Sequence, residues 1–140
     1  MLFLNLFTKK MIKHYLNVVQ NNYANFSGRA RRSEYWYFTL FYTIMLFLAM
    51  FLDNLLGTTF NMEMMGQSVD VGYGWIYVAV AILHFLPSLA VCVRRLHDVG
   101  KSGWFYFIFL IPIIGFFWIL YLFCKNGNVG ENKYGADSKA

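Results

Sequence analysis

Residues 75–104 read WIYVAVAILHFLPSLAVCV-RRLHDVGKSG-W, and the change of character at Arg94 decides the fold. From Trp75 to Val93 there is no Asp, Glu, Lys or Arg. At 1.5 Å per residue such a run covers the ~30 Å hydrocarbon core of a bilayer. Working outward, Tyr35 to Leu52 and Trp104 to Cys124 are runs of the same kind. A buried helix of a soluble protein keeps some polar face over such a length, so the three runs predict membrane helices over 35–52, 75–93 and 104–124. Tyr35, Trp36 and Tyr37, then Tyr73, Trp75 and Tyr77, then Trp104 and Tyr106 stand where the runs begin. Amphipathic rings favour the headgroup level and anchor spans there.

Composition agrees. Hydrophobic residues are 59% of the 140-residue chain and aromatic residues 21%, above the ~45–50% apolar usage of soluble domains. A single domain of this length cannot hide that much apolar surface from water. The net charge of +5 and the pI near 9.3 do not point to nucleic acid, because the bases sit at the ends of apolar runs and not along a polar periodic face. Anionic lipid and the rules of insertion account for them. Cys92 and Cys124 lie inside apolar runs and form no CxxC pair, so neither a disulfide framework nor a zinc site is expected, and both are read as reduced core residues.

Before the first run, Met11, Ile12, Tyr15, Leu16, Val19, Tyr23 and Phe26 recur at helical spacing with Lys9, Lys10, Lys13, Asn17 and Gln20 between them. This predicts an amphipathic helix over Lys9 to Tyr23 lying in the interface, the alternative being a short helix packed on the cytoplasmic end of the bundle. Met1 to Phe7 is too short, and wrongly flanked, for a cleaved signal peptide. The expected architecture is an all-α membrane protein, three transmembrane helices preceded by an amphipathic interfacial helix: residues 1–34 a cytoplasmic N-terminal segment, 35–124 the membrane domain, 125–140 a tail.

Lys9, Lys10, Lys13, Arg29, Arg31 and Arg32 precede the first run, and Arg94, Arg95 and Lys101 lie between the second and third. The loop from Asp53 to Gly74 holds Asp53, Glu63 and Asp70 and no base. The positive-inside rule therefore makes the N-terminus and second loop cytoplasmic and the first loop external. Three spans send the tail outside, against the tendency of Lys125, Lys133 and Lys139. The expectation is a single third span kinked at Pro112 and Gly115. A re-entrant hairpin that returns the tail to the cytoplasm is the alternative, with limbs too short to cross singly.

Residues that can carry chemistry cluster in two places. In Arg94-Arg95-Leu96-His97-Asp98-Val99-Gly100-Lys101-Ser102-Gly103-Trp104 the arginines fix topology and snorkel while the glycines permit a tight turn. The same Arg94, Arg95 and Lys101 can grip a phosphate, and His97 beside Asp98 can titrate near neutral pH. Gly100-Lys101-Ser102 is not a phosphate loop, since Arg95 stands where that motif needs a glycine. In Phe26-Ser27-Gly28-Arg29-Ala30-Arg31-Arg32-Ser33-Glu34-Tyr35-Trp36, Ser33 can cap the first span and Glu34 suits its positive end or pairs with an arginine. Arg29, Arg31 and Arg32 join the other bases as candidate contacts for anionic lipid or an acidic partner. Within the second span His84, Ser88 and Cys92 follow at i, i+4 and i+8, a polar stripe expected to face Thr39 and Thr43 or Tyr106. His84 lacks a carboxylate or second metal ligand at its depth. No metal, cofactor or catalytic motif is expected.

Together, Phe26 to Trp36, Leu86 to Val91 leading into Arg94 to Asp98, Ser102-Gly103-Trp104, Ile111-Pro112-Ile113-Ile114-Gly115 and Gly130-Glu131-Asn132-Lys133-Tyr134-Gly135 closely resemble the bacterial inner-membrane family called domain of unknown function 805. The resemblance covers the chain from about Met11 onward, apart from the loop Asp53 to Gly74, and Met1 to Lys10 reads as an extension. It implies a small multi-pass protein of the bacterial inner (plasma) membrane and no particular reaction. The function expected is that of a non-enzymatic scaffold or regulatory subunit with a basic cytoplasmic face. Its partners are membrane lipid, anionic phospholipid included, and a membrane protein or a second copy of the chain, with no nucleic acid. An oligomeric channel or transporter lined by His84, Ser88 and Cys92 is one alternative. A lipid-headgroup enzyme using His97 and Asp98 is the other.

Overall fold

The computed structural model describes residues 2–139, with side chains from Asn5 onward; Met1 and Ala140, the ends of the predicted N-terminal segment and tail, lie outside the described residues. The chain is mostly helical and forms two compact units, residues 40–85 and residues 1–39 together with 86–140. Helices α1 (Leu2–Leu16), α2 (Arg32–Leu56), α3 (Trp75–Asp98) and α4 (Ile114–Cys124) account for most of it. Of these, α2 and α3 are long and apolar enough to cross a membrane.

Local chemistry sets the helix ends. Helix α1 begins earlier than the expected Lys9 and runs on into a π-turn over Asn17–Asn21. Glu34 sits in the first turn of α2 and Arg95 in the last turn of α3, each charge type at the helix end that favours it. Past the end of α3, Gly100 at φ +76° lets its own N–H reach the His97 carbonyl (3.0 Å) while the Lys101 N–H reaches that of Leu96 (2.9 Å). This paired closure satisfies carbonyls that a helix end leaves bare and needs a residue free to adopt positive φ. Pro87 is accommodated inside a continuous α3.

In the unit formed by residues 40–85, the expectation of an all-α chain needs correction. Thr59–Met64 (β1) and Gln67–Gly74 (β2) pair antiparallel around Met65-Gly66. Both turn residues have positive φ, +53° and +76°, as a two-residue turn matched to strand twist requires. Asp53 is fully buried near the end of α2. Its carboxylate accepts from the Thr58 hydroxyl (2.6 Å) and from the backbone N–H groups of Gly74 (3.0 Å), Ile76 (3.1 Å) and Tyr77 (2.8 Å). A carboxylate from α2 thus caps the first turn of α3.

In the other unit, Trp104–Cys124 is not the single kinked helix that was expected. A 3-10 helix over Gly103–Leu110, started by Ser102 Oγ accepting from the Trp104 N–H, is followed by a chain reversal and then α4. Pro112 cannot donate a backbone hydrogen bond. Ile113 takes φ +65°, ψ −66°, and the Ile114 N–H reaches back to the Pro112 carbonyl at 2.7 Å, a three-residue γ-turn of the strained, positive-φ kind. Gly115 is needed because a Cβ there would overlap the Ile108 carbonyl of the first limb. The limbs therefore lie side by side, each about 16 Å long by the rise of its helix type, with Phe109 against Phe116. Leu96 and Val99, at the end of α3, pack with Ile119, Leu122 and Phe123 of α4. A second cluster joins Val18 of the π-turn to Ala30, Phe38 and Val91.

Candidate functional site

Where the hairpin returns to α3, the chain gathers its buried charges. Asp98 Oδ1 accepts from Arg29 Nε (3.0 Å) and Ser138 Oγ (2.7 Å), and Oδ2 from Arg95 Nη1 (2.5 Å). Arg29 and Asp98 are 2% and 1% exposed and Arg95 fully buried, so two guanidinium groups share one carboxylate away from water. The surplus positive charge is met by carbonyl dipoles. Arg95 donates through Nε to Phe123 O (3.2 Å) and through Nη2 to Lys125 O, and Arg32 donates to Cys124 O (3.2 Å). The carboxyl end of α4, where the helix dipole is negative, is thereby tied down by two arginines. Arg29 also holds the carbonyls of Asn128 (2.5 Å) and Gly130 (2.6 Å) in the tail.

Arg94 and Glu34 form a second buried pair, Nη1 to Oε1 at 2.8 Å, which Asn17 of the π-turn approaches at 3.5 Å. The Ala30 N–H donates to the Arg94 carbonyl at 3.0 Å. Nε and Nη2 of Arg94 are buried with no hydrogen-bond partner among the described residues.

His97 and Asp98 do not work as a couple. The His97 ring stacks on Tyr134 (centroids 3.8 Å apart, planes at 5°), its Nδ1 lies 3.1 Å from the Gly28 carbonyl, and its own carbonyl accepts from Asn132 (3.0 Å). Arg31 and Arg32 are exposed. Lys101 is half-buried with Nζ over the Phe105 ring. The residues of the polar stripe have different surroundings. His84 stacks on Tyr42 and its Nδ1 lies 2.8 Å from Val80 O. Ser88 Oγ is buried without a partner among the described residues, and Cys92 joins Tyr35 and Tyr106 around the α4 cluster. Cys124 is exposed and not a core residue: it is the last residue of α4 and stands outside the cluster that Leu122 and Phe123 join.

An open cavity of about 730 Å³ lies among α1, the π-turn and the start of α2. Its wall includes Lys9, Lys13, Arg31, Asn17, Gln20 and Asn21, with Glu34 the one carboxylate. His14, also in the wall, stacks on Tyr37, and burial holds its imidazole below the ordinary range. On the tail, the backbone N–H groups of Lys139 and then Gly130 hold the Asp137 carboxyl below its usual range.

Sequence reasoning missed the part played by the tail. The stretch from Gly130 to Gly135 supported a resemblance without a role. In the structure Asn132 and Gly135 pair by two backbone bonds and present Tyr134 to His97. Gly127 is required too, since a Cβ there would overlap the Asp98 carboxylate.

Inner membrane protein YhaH of Escherichia coli (strain K12) is 43% identical over 125 residues, 89% of this chain and 95% of that protein. Inner membrane protein YhaI of the same strain is 38% identical over 125 residues, 89% of this chain and 94% of that protein. No solved structure matches. The family described as Protein of unknown function (DUF805) matches residues 23–136. That span contains every ion pair of the buried network together with the hairpin that the network anchors, and the chain belongs to this family.

Proposed function

We propose that the chain is an inner-membrane protein that acts by contact and not by catalysis, as a small scaffold or regulatory subunit. Its N-terminal segment, the connection after α3 and the tail all lie on the cytoplasmic side. The observation that carries this reading is the use to which the polar groups are put. Arg29, Arg95, Asp98 and His97, the groups best suited to acid–base or phosphate chemistry, are each engaged by the chain itself, and what they hold is the returning hairpin and the tail.

Two crossing helices, α2 and α3, with the segment 103–124 dipping in and out from one side, reconcile the charges that three spans leave in conflict. Limbs of about 16 Å match one leaflet of a ~30 Å core. Lys125, Lys133 and Lys139 then stay with the other bases, as the positive-inside rule favours. Single cysteines at Thr58, Gln67, Ser102 and Val129, in a background lacking Cys92 and Cys124, test it with an impermeant thiol reagent on intact cells. Labelling is expected at Thr58 and Gln67 alone. Labelling at Val129 with protection at Ser102 would restore a single third span and remove this topology. The contact role is tested by isolation in native lipid, where a stably associated protein or retained phospholipid is expected. A lipid-indifferent monomer with no associate argues against it.

A further inference from the structure

We propose that the cavity among α1, the π-turn and the start of α2 binds the headgroup of an anionic phospholipid whose headgroup carries hydroxyls, phosphatidylglycerol being the bacterial example. The inference rests on the reading that this end of the molecule meets the cytoplasmic leaflet, and it assigns a discrete site where that reading needs only a basic surface.

Charge accounting comes first. Glu34, the one carboxylate in the wall, is matched by the buried guanidinium of Arg94 at 2.8 Å, and Arg29, which also reaches the wall, shares Asp98 with Arg95 and directs its remaining donors to the Asn128 and Gly130 carbonyls. Lys9, Lys13 and Arg31 remain, and none makes an ion pair among the described residues. Lys9 and Lys13 stand four residues apart and share a helix face, with Arg31 reaching the cavity from the approach to α2. Three uncompensated cations around one concavity suit a phosphate diester.

The rest of the wall says more than anion. Asn17, Gln20 and Asn21 come from the π-turn, whose wider winding is uncommon in helices and recurs at functional sites. Amide side chains offer both donors and acceptors; a phosphate uses only the donors, whereas hydroxyl groups use the acceptors as well. Ser138 of the tail also reaches the wall, and Ile12 and Leu16 line it yet remain 39% and 38% exposed. Apolar surface beside a cationic pocket is costly in water and favourable where an acyl chain leaves the headgroup. The volume lies within the roughly 300–1,000 Å³ of small-molecule sites.

The test uses the full-length protein in detergent, titrated with short-chain phosphatidylglycerol, phosphatidylcholine or phosphatidic acid, or with glycerol 3-phosphate, and read by native mass spectrometry. One phosphatidylglycerol per chain is expected in preference to phosphatidylcholine. The triple variant Lys9→Ala, Lys13→Ala, Arg31→Ala should weaken it at least about tenfold. Lys125→Ala with Lys133→Ala, bases outside the cavity, should leave it unchanged, and Gln20→Ala should narrow the preference over phosphatidic acid. Lys9→Arg with Lys13→Arg should retain binding, which separates lost charge from lost fold. Equal weakening by the cavity and non-cavity variants overturns the site while leaving a diffuse basic face intact. Binding of glycerol 3-phosphate as tight as that of the lipid overturns the lipid assignment, and indifference to headgroup overturns the proposal altogether.

Discussion

Asp98 accepts from two buried guanidinium groups, so its removal strands two charges at once. Asp98→Ala should destabilise the protein by about 3–5 kcal/mol, the usual cost of breaking a buried pair from one side. Ser138→Ala, which removes a single hydrogen bond to the same carboxylate and leaves both ion pairs in place, should cost less, about 1.5 kcal/mol. Thermal unfolding in detergent ranks the two, and equal effects would mean that the network contributes no more than its outermost contact. The Glu34–Arg94 pair calls for a different comparison. Glu34→Leu alone leaves a buried guanidinium, whereas Glu34→Leu with Arg94→Met leaves none, so the double variant should be more stable than the single by at least about 3 kcal/mol. At this scale the sequence was partly misleading. Arginines at the end of an apolar run usually snorkel outward, and nothing within Arg94-Arg95 distinguishes that from inward pairing. Glu34 lies 60 residues from Arg94, and Arg29, which shares Asp98 with Arg95, lies 69 residues from that carboxylate.

The turn at Pro112-Ile113-Ile114 holds a β-branched residue where positive φ strongly favours glycine. Ile113→Gly should relieve that strain and stabilise the hairpin by about 1 kcal/mol, while Gly115→Val, which forces side-chain atoms against the Ile108 carbonyl, should part the limbs. Unfolding midpoints check both, and a destabilised Ile113→Gly would show that the turn is not strained. Asp53→Ala leaves the N–H groups of Gly74, Ile76 and Tyr77 without their acceptor and should cost about 1–3 kcal/mol. Helices α2 and α3 were legible because length and lack of charge are properties of the string itself. The hairpin was legible only as an alternative. Its apolar composition is that of a single span, and Pro112 with Gly115 permits a kink as readily as a reversal. The β1–β2 pair was legible and not foreseen: Phe60, Met62 and Met64 alternate with Thr59, Asn61 and Glu63, and Val69, Val71 and Tyr73 with Asp70, Gly72 and Gly74, the period of two that marks a strand.

For the whole molecule, the family assignment and the membrane character followed from five short motifs and three apolar runs, and comparison with YhaH and YhaI agrees with both. The site was the less legible part. The residues quoted as motifs are those that meet at Asp98, but a motif order says nothing about which of its members touch. The hairpin's return also bears on how the protein enters the bilayer. In the topology proposed above, the loop from Asp53 to Gly74 is the polar segment to be exported, and its acidic side chains are Asp53, Glu63 and Asp70. A potential negative inside drives anions outward, by about 2.3 kcal/mol per charge at 100 mV. On the proposed topology the energised membrane pulls this loop across and holds the lysines and arginines back, and collapsing the potential with an ionophore should slow the appearance of Gln67→Cys at the outer surface.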